Sequence, residues 1–166
     1  MQHMKRFRSI VFIVAFGITL VSCLPGAGGN PNRQVSLFYY NPNLDTDEAG
    51  NILCSRAGLV SVHRNVAGSL SEEALIGETI RLLISGELSP EEHSQGITTE
   101  FPLEGFSLSE TNLNDGVLTL SFDDPNRRAS GGACRVTLLW LQIEETALQF
   151  PGVKEVRFLP EELFQP

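Results

Sequence analysis

Residues 69–86, SLSEEALIGETIRLLISG, are the stretch of sequence that decides the fold. Apolar and β-branched side chains recur in it at the spacing that places them on one face of an α-helix. They are Leu75, Ile76, Thr79, Leu82 and Leu83. Ser69, with Glu72 three residues later, fits a capping box at the helix N-terminus. Gly86 is the residue type that commonly follows the last helical turn. The stretch therefore predicts one amphipathic helix that buries a single face.

Strands are predicted on both sides of this helix. Residues 34–40, QVSLFYY, are rich in β-branched and aromatic residues, and residues 59–66 alternate with period two. Residues 106–113 and residues 117–122 form two further predicted strands. The sequence Asn114-Asp115-Gly116 between them is typical of a tight hairpin turn. The polar segment that joins the helix to this hairpin has room for one helical turn near Pro90.

A second helix and a last strand complete the pattern. Residues 133–149, ACRVTLLWLQIEETALQ, carry apolar side chains at helical spacing. These are Val136, Leu139, Trp140, Ile143 and Ala147. Pro151-Gly152 ends the helix, and residues 153–159 alternate as a strand does. The order strand, strand, helix, strand, strand, helix, strand predicts an α+β fold. In it, two helices pack on one face of a small, mostly antiparallel sheet.

Three segments carry a resemblance to a known family. They are residues 74–102, ALIGETIRLLISGELSPEEHSQGITTEFP; residues 113–125, LNDGVLTLSFDDP; and residues 142–159, QIEETALQFPGVKEVRFL. With these segments in this order, the chain from residue 35 to residue 159 resembles the GerMN domain family of spore germination and sporulation proteins. The resemblance implies a fold similar to the ring-building motif of specialised secretion systems. It also implies assembly or protein binding at a cell envelope, and not catalysis.

The N-terminus has the pattern of an export signal. A basic start precedes residues 10–21, IVFIVAFGITLV. This run is too short for a bilayer core, which needs about 20 residues, but it is typical of the apolar part of a signal peptide. Leu20-Val21-Ser22-Cys23 resembles a bacterial lipobox, in which the cysteine becomes lipidated and N-terminal. We therefore predict a lipoprotein signal peptide at residues 1–22, lipidation at Cys23 and an extracytoplasmic, membrane-anchored location. The alternative is an ordinary signal peptide or membrane anchor with an incidental cysteine.

The rest of the chain is predicted to be a tether followed by one acidic domain. Residues 24–33, LPGAGGNPNR, cannot bury apolar surface, so residues 23–33 are predicted as a flexible tether and residues 34–166 as the folded domain. Removal of residues 1–22 removes three positive charges and changes the formal net charge from −8 to −11. An acidic surface repels phosphates, so we expect no nucleic-acid partner. Contact with the membrane is expected through the N-terminal lipid.

Cys54 and Cys134 remain as an even pair if Cys23 carries lipid. Outside the cytoplasm disulfides form and persist, which favours a bond between the two. Such a bond would close a loop of about 80 residues and contribute ~4 kcal/mol through chain entropy. Two separate buried thiols are the alternative. A catalytic cysteine is disfavoured because no histidine lies at a suggestive spacing.

The sequence contains no motif that predicts a catalytic residue, a cofactor or a metal centre. His63 and His93 lack metal-ligand spacing, and the common hydrolase and nucleotide-binding motifs are missing. Residues 45–50, DTDEAG, resemble the start of a calcium loop. However, the fifth position is Ala49, and the twelfth is Arg56 where a bidentate glutamate is required. We therefore reject an EF-hand; a weak, irregular calcium site remains an alternative to an acidic turn.

Two functions of different classes are compatible with these observations. The first is a non-catalytic, lipid-anchored module that binds another envelope protein or itself through the sheet surface that the helices leave uncovered. The second is recognition of a cell-wall glycan or peptide, with Tyr39, Tyr40 and Trp140 as stacking residues. Trp140, however, shares a helical face with core residues. Tyr39 and Tyr40 are expected on opposite faces of their strand, so at most one could join a surface platform.

Overall fold

The computed structural model describes residues 32–165. The predicted signal peptide, Cys23 and residues 23–31 of the predicted tether lie outside them. Within the described part, the elements follow one another in the order β1 (Asn32–Tyr40), β2 (Leu59–Ala67), α1 (Glu72–Ile84), α2 (Pro90–Ser94), β3 (Ser107–Asn114), β4 (Val117–Asp123), α3 (Ala133–Leu148) and β5 (Glu155–Leu159). The predicted α+β class is confirmed. Asn32 and Arg33, which the sequence placed in the tether, belong to β1.

Helix α1 has the predicted buried face but a different N-terminal cap. Ser71, and not Ser69, is the capping residue, and its Oγ accepts a hydrogen bond from Ala74 N at 3.3 Å. Ser69 lies in the turn that leaves β2, so the helix begins too late for it to act as the cap. Gly86 follows the helix, as predicted, with φ +69°. Only glycine fits there, because an added Cβ would overlap the carbonyl of Phe101.

The strands form two sheets and not the single sheet that the element order predicts. β1 and β2 pair antiparallel, and the second sheet has the order β3-β4-β5. The physical reason is that side chains of α3 occupy the second edge of β1. Ser36 N donates to Gln149 Oε1 at 2.8 Å, and Phe38 N donates to Thr146 Oγ1 at 3.0 Å. A further strand therefore cannot pair along the middle of that edge; at its end Tyr40 forms a single antiparallel bridge with Thr98.

The three-stranded sheet combines both strand directions. β3 and β4 are antiparallel and are joined by Asp115 and Gly116, whose φ angles of 51° and 88° belong to the tight turn that the sequence predicts. β4 and β5 are parallel because α3 crosses from the end of one strand to the start of the other. Counting β1 with β2, two of the three strand pairs in the two sheets are antiparallel.

One buried core joins the two sheets through helices α1 and α3. Helix α1 packs against β1, β2 and β3, while α3 packs against β1, β5 and α1. Gly77 lets α1 approach β3 closely, since an added Cβ would lie 2.9 Å from Thr111 Oγ1. At the β4 and β5 end the core is aromatic: the rings of Phe106 and Phe122 stack with centroids 4.9 Å apart, and Phe164 packs against them edge-on.

Candidate functional site

Residues 41–58 connect β1 to β2 at the surface, and hydrogen bonds, a disulfide and ion pairs hold them in place; we call this segment the clamped loop. It contains short 3₁₀ turns at Pro42–Leu44 and Arg56–Gly58. Between them Thr46 pairs antiparallel with Ile52, so the middle of the loop is a small hairpin. The sequence predicts only an irregular loop here, because the Pro, Asp, Asn and Gly residues break regular structure without specifying how the loop closes.

A buried carboxylate, Asp45, organises the clamped loop from inside. It is 1% exposed and accepts hydrogen bonds from Tyr40 Oη at 2.7 Å, Ser55 N at 2.6 Å and Ser55 Oγ at 2.6 Å. Burial alone would raise the pKa of Asp45, but the hydrogen bonds from Ser55 and Tyr40 hold that pKa below its ordinary value. Asp45 is thus an ionised group whose bonds join the start of the loop to its end.

Tyr40 and Gly58 complete the buried base of the loop. Burial, together with the hydrogen bond to Asp45, raises the pKa of Tyr40 to about 12, so the phenol stays protonated and donates. Gly58 packs against the face of the Tyr40 ring, where an added Cβ would overlap the ring and lie 2.8 Å from Cβ of Asp45. Asn41 N donates to the carbonyl of Gly58 at 2.8 Å and closes the loop at its base.

Two further contacts clamp the loop onto helix α3. A disulfide joins Cys54 to Cys134 in the first turn of α3, with Cα atoms 5.4 Å apart, inside the range usual for disulfides. Near the other end of the helix, Arg56 pairs with Glu145 at 2.6 Å and also with Glu144. The Arg56 guanidinium lies 5.8 Å above the ring of Trp140. The loop is therefore held to α3 by one covalent bond and one ion-pair group.

An aspartate, Asp47, caps the turn at the tip of the loop. Asp47 accepts hydrogen bonds from Ala49 N at 2.9 Å, Asn51 N at 2.8 Å and Asn51 Nδ2 at 2.8 Å. These bonds lower the pKa of Asp47. Because Asp45 and Asp47 use their oxygens within the loop, residues 45–50 form an acidic turn in this structure. Among residues 32–165 no group of three or more His, Cys, Asp and Glu side chains is arranged to hold a metal ion.

The tip also presents three large apolar side chains to solvent. Leu44, Ile52 and Leu53 are 60%, 53% and 55% exposed. Leu53 N donates to the carbonyl of Asp45 at 2.9 Å, so Leu53 lies across the hairpin from Asp45, the residue that follows Leu44. The sequence pattern predicts no role for these residues. Their signal was three large aliphatic side chains within an otherwise polar loop.

The second candidate surface is the free edge of β2. In an antiparallel strand the backbone N–H and C=O groups of one residue point to the same edge, and those of Ser36 and Phe38 in β1 point to α3. The alternate residues of β1 therefore make the hydrogen bonds to β2. They are Val35, Leu37 and Tyr39, which lie opposite Arg64, Val62 and Val60. The intervening residues of β2 direct their N–H and C=O groups to the opposite edge, which has no strand partner in the described part of the chain. They are Ser61, His63 and Asn65, all exposed.

Arg64 and Glu92 fix the free edge against helix α2. Arg64 donates to both carboxylate oxygens of Glu92 at 2.7 Å and to the carbonyl of Glu87 at 2.9 Å. Glu92 also accepts from Ser89 N in the capping box that begins α2. The hydrogen bond from Arg64 lowers the pKa of Glu92. Arg64 Nη1 also donates to the carbonyl of His63 at 3.0 Å, which occupies one acceptor of the edge. The inner face of β2 is thus filled, while the outward N–H groups of the edge have no partner among residues 32–165.

The residues predicted for glycan stacking are not available for it. Tyr39 and Tyr40 are both buried, and their hydroxyls donate to the carbonyl of Leu83 at 3.2 Å and to Asp45. Burial raises the pKa of Tyr39 to about 12. Trp140 is half-buried at the rim of α3 and not in the core where its helical spacing placed it. The reason is that the clamped loop covers this side of α3, where Arg56 lies over the indole.

A cleft lies away from both surfaces. It encloses about 1180 Å³ between the β4–α3 connection and the C-terminal segment after β5. Its lining includes Asp123, Asp124, Arg127 and Glu162, and no histidine or cysteine. Asp124 accepts hydrogen bonds from Arg128 N at 2.7 Å and Ala129 N at 2.8 Å, so its carboxylate stabilises the local turn. No helix among residues 32–165 has the length and hydropathy to span a membrane.

Known proteins resemble the chain in both sequence and fold. The model of the family Germane, described as sporulation and spore germination, matches residues 37–162. No curated protein is similar enough in sequence to match. The tandem GerMN domains of the sporulation protein GerM from Bacillus subtilis superpose with a TM-score of 0.52 and 23% identity. That match covers 81% of this chain and 42% of the other, so the chain spans less than half of the tandem structure.

Two further solved structures are similar at lower scores. The first GerMN domain of GerM from Bacillus subtilis has a TM-score of 0.48 and 13% identity, over 76% of this chain and 80% of that one. A putative lipoprotein from Clostridium perfringens has a TM-score of 0.40 and 16% identity, over 77% and 74%. The family match extends over more than half of the chain and confirms the resemblance seen in the sequence. The chain therefore belongs to the Germane family of sporulation and spore germination.

Proposed function

We propose that the chain is a non-catalytic, lipid-anchored module outside the cytoplasm that binds another protein of the cell envelope. Membership of the Germane family supports a role in sporulation or germination, and the lipobox-like Leu20-Val21-Ser22-Cys23 supports the anchor. The single observation that carries protein binding is the free edge of β2. A sheet edge with unpaired N–H and C=O groups is a template for an extended segment of another protein.

The residues of this edge are those of a binding strand and not those of an edge that is blocked against pairing with other chains. Proteins usually block an exposed edge with lysine, proline or a bulge. β2, with the sequence LVSVHRNVA, contains neither lysine nor proline and pairs with β1 without a shift in register. Its charged side chain, Arg64, lies on the inner side and is neutralised by Glu92. The outward positions Ser61, His63 and Asn65 are small or neutral. Among residues 32–165 only one of their outward backbone groups has a partner, the His63 carbonyl, which accepts from Arg64.

Crosslinking in cells tests the proposed binding. A photoreactive residue replaces His63 at the free edge, and in a matched variant it replaces Asn112 on β3 of the other sheet. We expect one envelope protein to be crosslinked from position 63 and not from position 112. The identified protein is then titrated against the purified full-length chain and its Asn65→Pro variant. Proline at this outward position removes an edge donor and leaves the pairing with β1 intact.

The titration has a defined expected result. Asn65→Pro should weaken binding of the identified protein at least tenfold, with thermal stability within a few degrees of the native chain. Equal crosslinking from positions 63 and 112, unchanged affinity of the proline variant, or adducts only with wall glycan would contradict edge binding.

The anchor is tested separately by the intact mass of protein extracted from membranes. The proposal requires a chain that begins at Cys23 and carries a lipid-sized mass increment, and it requires Cys23→Ser to release the protein from the membrane fraction. A membrane-extracted chain without the increment would exclude lipidation.

A further inference from the structure

We propose that the tip of the clamped loop, residues 44–53, is a docking surface for a protein segment that combines apolar and basic side chains. This inference rests on the proposed function, because it names a second contact and the partner chemistry that it would take. Six large hydrophobic side chains of the described chain are clearly exposed. Three of them, Leu44, Ile52 and Leu53, lie within ten residues of one another and are the three most exposed.

The exposure of these side chains belongs to a fixed hairpin and not to a loose loop. The buried Asp45 joins the two sides of the hairpin at its base, and Asp47 caps its turn. The Cys54–Cys134 disulfide and the Arg56 ion pairs hold it to α3. A surface that is already ordered loses little conformational entropy when a partner binds. Large exposed apolar side chains, carried here by two paired sides of one hairpin, favour an interaction site.

The charge around the patch selects the partner. Residues 44–53, LDTDEAGNIL, contain three acidic residues and no basic one. Asp47 and Glu48 are exposed at the turn, and the pKa of Asp45 is held low by its hydrogen bonds. Arg56, the nearest basic residue in the loop, already faces Glu144 and Glu145. An apolar surface with an acidic rim is complementary to apolar side chains flanked by lysine or arginine.

The same charges disfavour the other occupants. A bilayer with anionic headgroups repels this rim, and a second copy of the chain would bring two acidic rims together. The whole chain carries a formal net charge of −8, and a copy without the three positive charges of residues 1–22 carries −11. Membrane insertion and self-association are therefore results that would count against the proposal.

Two synthetic peptides of equal length serve as probes: an amphipathic peptide of leucine and lysine, and its counterpart with glutamate in place of lysine. They are titrated against the detergent-solubilised full-length chain with its disulfide intact. The test variant carries Leu44→Ser, Ile52→Ser and Leu53→Ser. A matched control carries Leu70→Ser, Leu148→Ser and Leu159→Ser, which are the other three exposed hydrophobic residues and lie outside the loop.

We expect the lysine peptide to bind the native chain at least tenfold more tightly than the glutamate peptide does. Its affinity should fall at least tenfold in the loop variant and less than twofold in the control variant. Glu48→Lys, at an exposed position whose side chain makes no recorded hydrogen bond in the described structure, should weaken it about threefold to tenfold.

Several outcomes would overturn the docking surface. They are equal losses in the two triple variants, equal binding of the two peptides, binding to neutral lipid vesicles that the loop variant abolishes, and self-association that the loop variant abolishes. The envelope protein identified from position 63 separates this inference from the proposed function. If that protein binds the loop variant as tightly as the native chain, the docking surface is wrong and the proposed function stands. If cells yield no such protein, the proposed function fails and the peptide titration still decides the docking surface.

Discussion

Replacement of Asp45 by asparagine tests the physical basis of the clamped loop. The carboxylate accepts three hydrogen bonds, two on Oδ2 from Tyr40 and the Ser55 amide and one on Oδ1 from the Ser55 hydroxyl. Asparagine has nearly the same shape, and its carbonyl can keep the two bonds at one oxygen position. Its amide group then faces the Ser55 hydroxyl, which must turn and accept. The substitution thus removes the charge from three bonds and reverses one of them.

The expected loss follows from these bonds. Hydrogen bonds to charged groups contribute about 1.5–3 kcal/mol to stability, against about 0.5–1.5 kcal/mol for neutral ones. With three bonds affected and burial favouring the neutral amide, we expect Asp45→Asn to lower the free energy of unfolding by about 2–3 kcal/mol at pH 7. Asp123→Asn changes an exposed carboxylate at the end of β4 and is the control, with an expected change below about 0.5 kcal/mol.

The pH dependence gives the sign of the effect independently. The pKa of Asp45 in the folded chain lies below the ordinary value of 3.8, so its stabilisation is complete above pH 3.8 and is lost as the pH falls through the folded pKa. The difference between the native chain and Asp45→Asn should therefore be constant at neutral pH and shrink in acid. The assay is urea unfolding of the disulfide-intact protein from pH 7 to pH 2. A difference below about 0.5 kcal/mol at pH 7, or one that stays constant down to pH 2, would show that the charge of Asp45 does not stabilise the loop.

Three further predictions concern the other contacts that fix the fold. Cys54→Ser with Cys134→Ser should lower stability by about 4 kcal/mol, because the bond closes a loop with a sequence separation of 80 residues; equal melting temperatures of the oxidised chain and this variant would contradict a bond in solution. Gly58→Ala should destabilise by about 2 kcal/mol or more in denaturant unfolding because its Cβ overlaps the Tyr40 ring. Gly132→Ala, which has open space around it but exchanges the N-cap of α3 for a poorer one, should cost no more than about 1 kcal/mol. Arg64→Lys should lower the free energy of unfolding by about 1–2 kcal/mol because lysine cannot donate to both Glu92 oxygens. Since the pKa of Glu92 lies below 4.5, this difference should shrink as the pH falls below that value, and a pH-independent difference would exclude the ion pair as its cause.

Much of the secondary structure could be predicted because its determinants are local. The helical spacing of Leu75 to Leu83 fixes α1, and Asp115-Gly116 fixes the hairpin of β3 and β4, since both residues take the positive φ angles of that turn. The helix start was placed at Ser69 because both Ser69 and Ser71 can cap. Only the path of the chain out of β2 decides between them.

The division into two sheets and the clamped loop depend on contacts between distant residues. The sequence predicts only helix positions for Thr146 and Gln149. In the fold their side chains bond to the edge of β1, which lies more than 100 residues earlier in the sequence. Arg56 gives no local signal for its pairing with α3. Asp45 looks like part of an acidic surface turn, and only the fold brings Tyr40 and Ser55 around it. These are the points where tertiary contacts decide what the local pattern leaves open.

Photocrosslinking in cells from position 52, at the tip of the clamped loop, tests directly whether this tip binds a protein of the cell envelope. A photoreactive residue at Ile52 is compared with one at Leu148, an exposed apolar position on α3. We expect one envelope protein with adjacent apolar and basic side chains to be crosslinked from position 52 and not from position 148. We also expect this adduct to decline when Cys54 and Cys134 are replaced by serine. Equal labelling from the two positions, or an adduct from position 52 formed only with lipid or with a second copy of the chain, would contradict this binding.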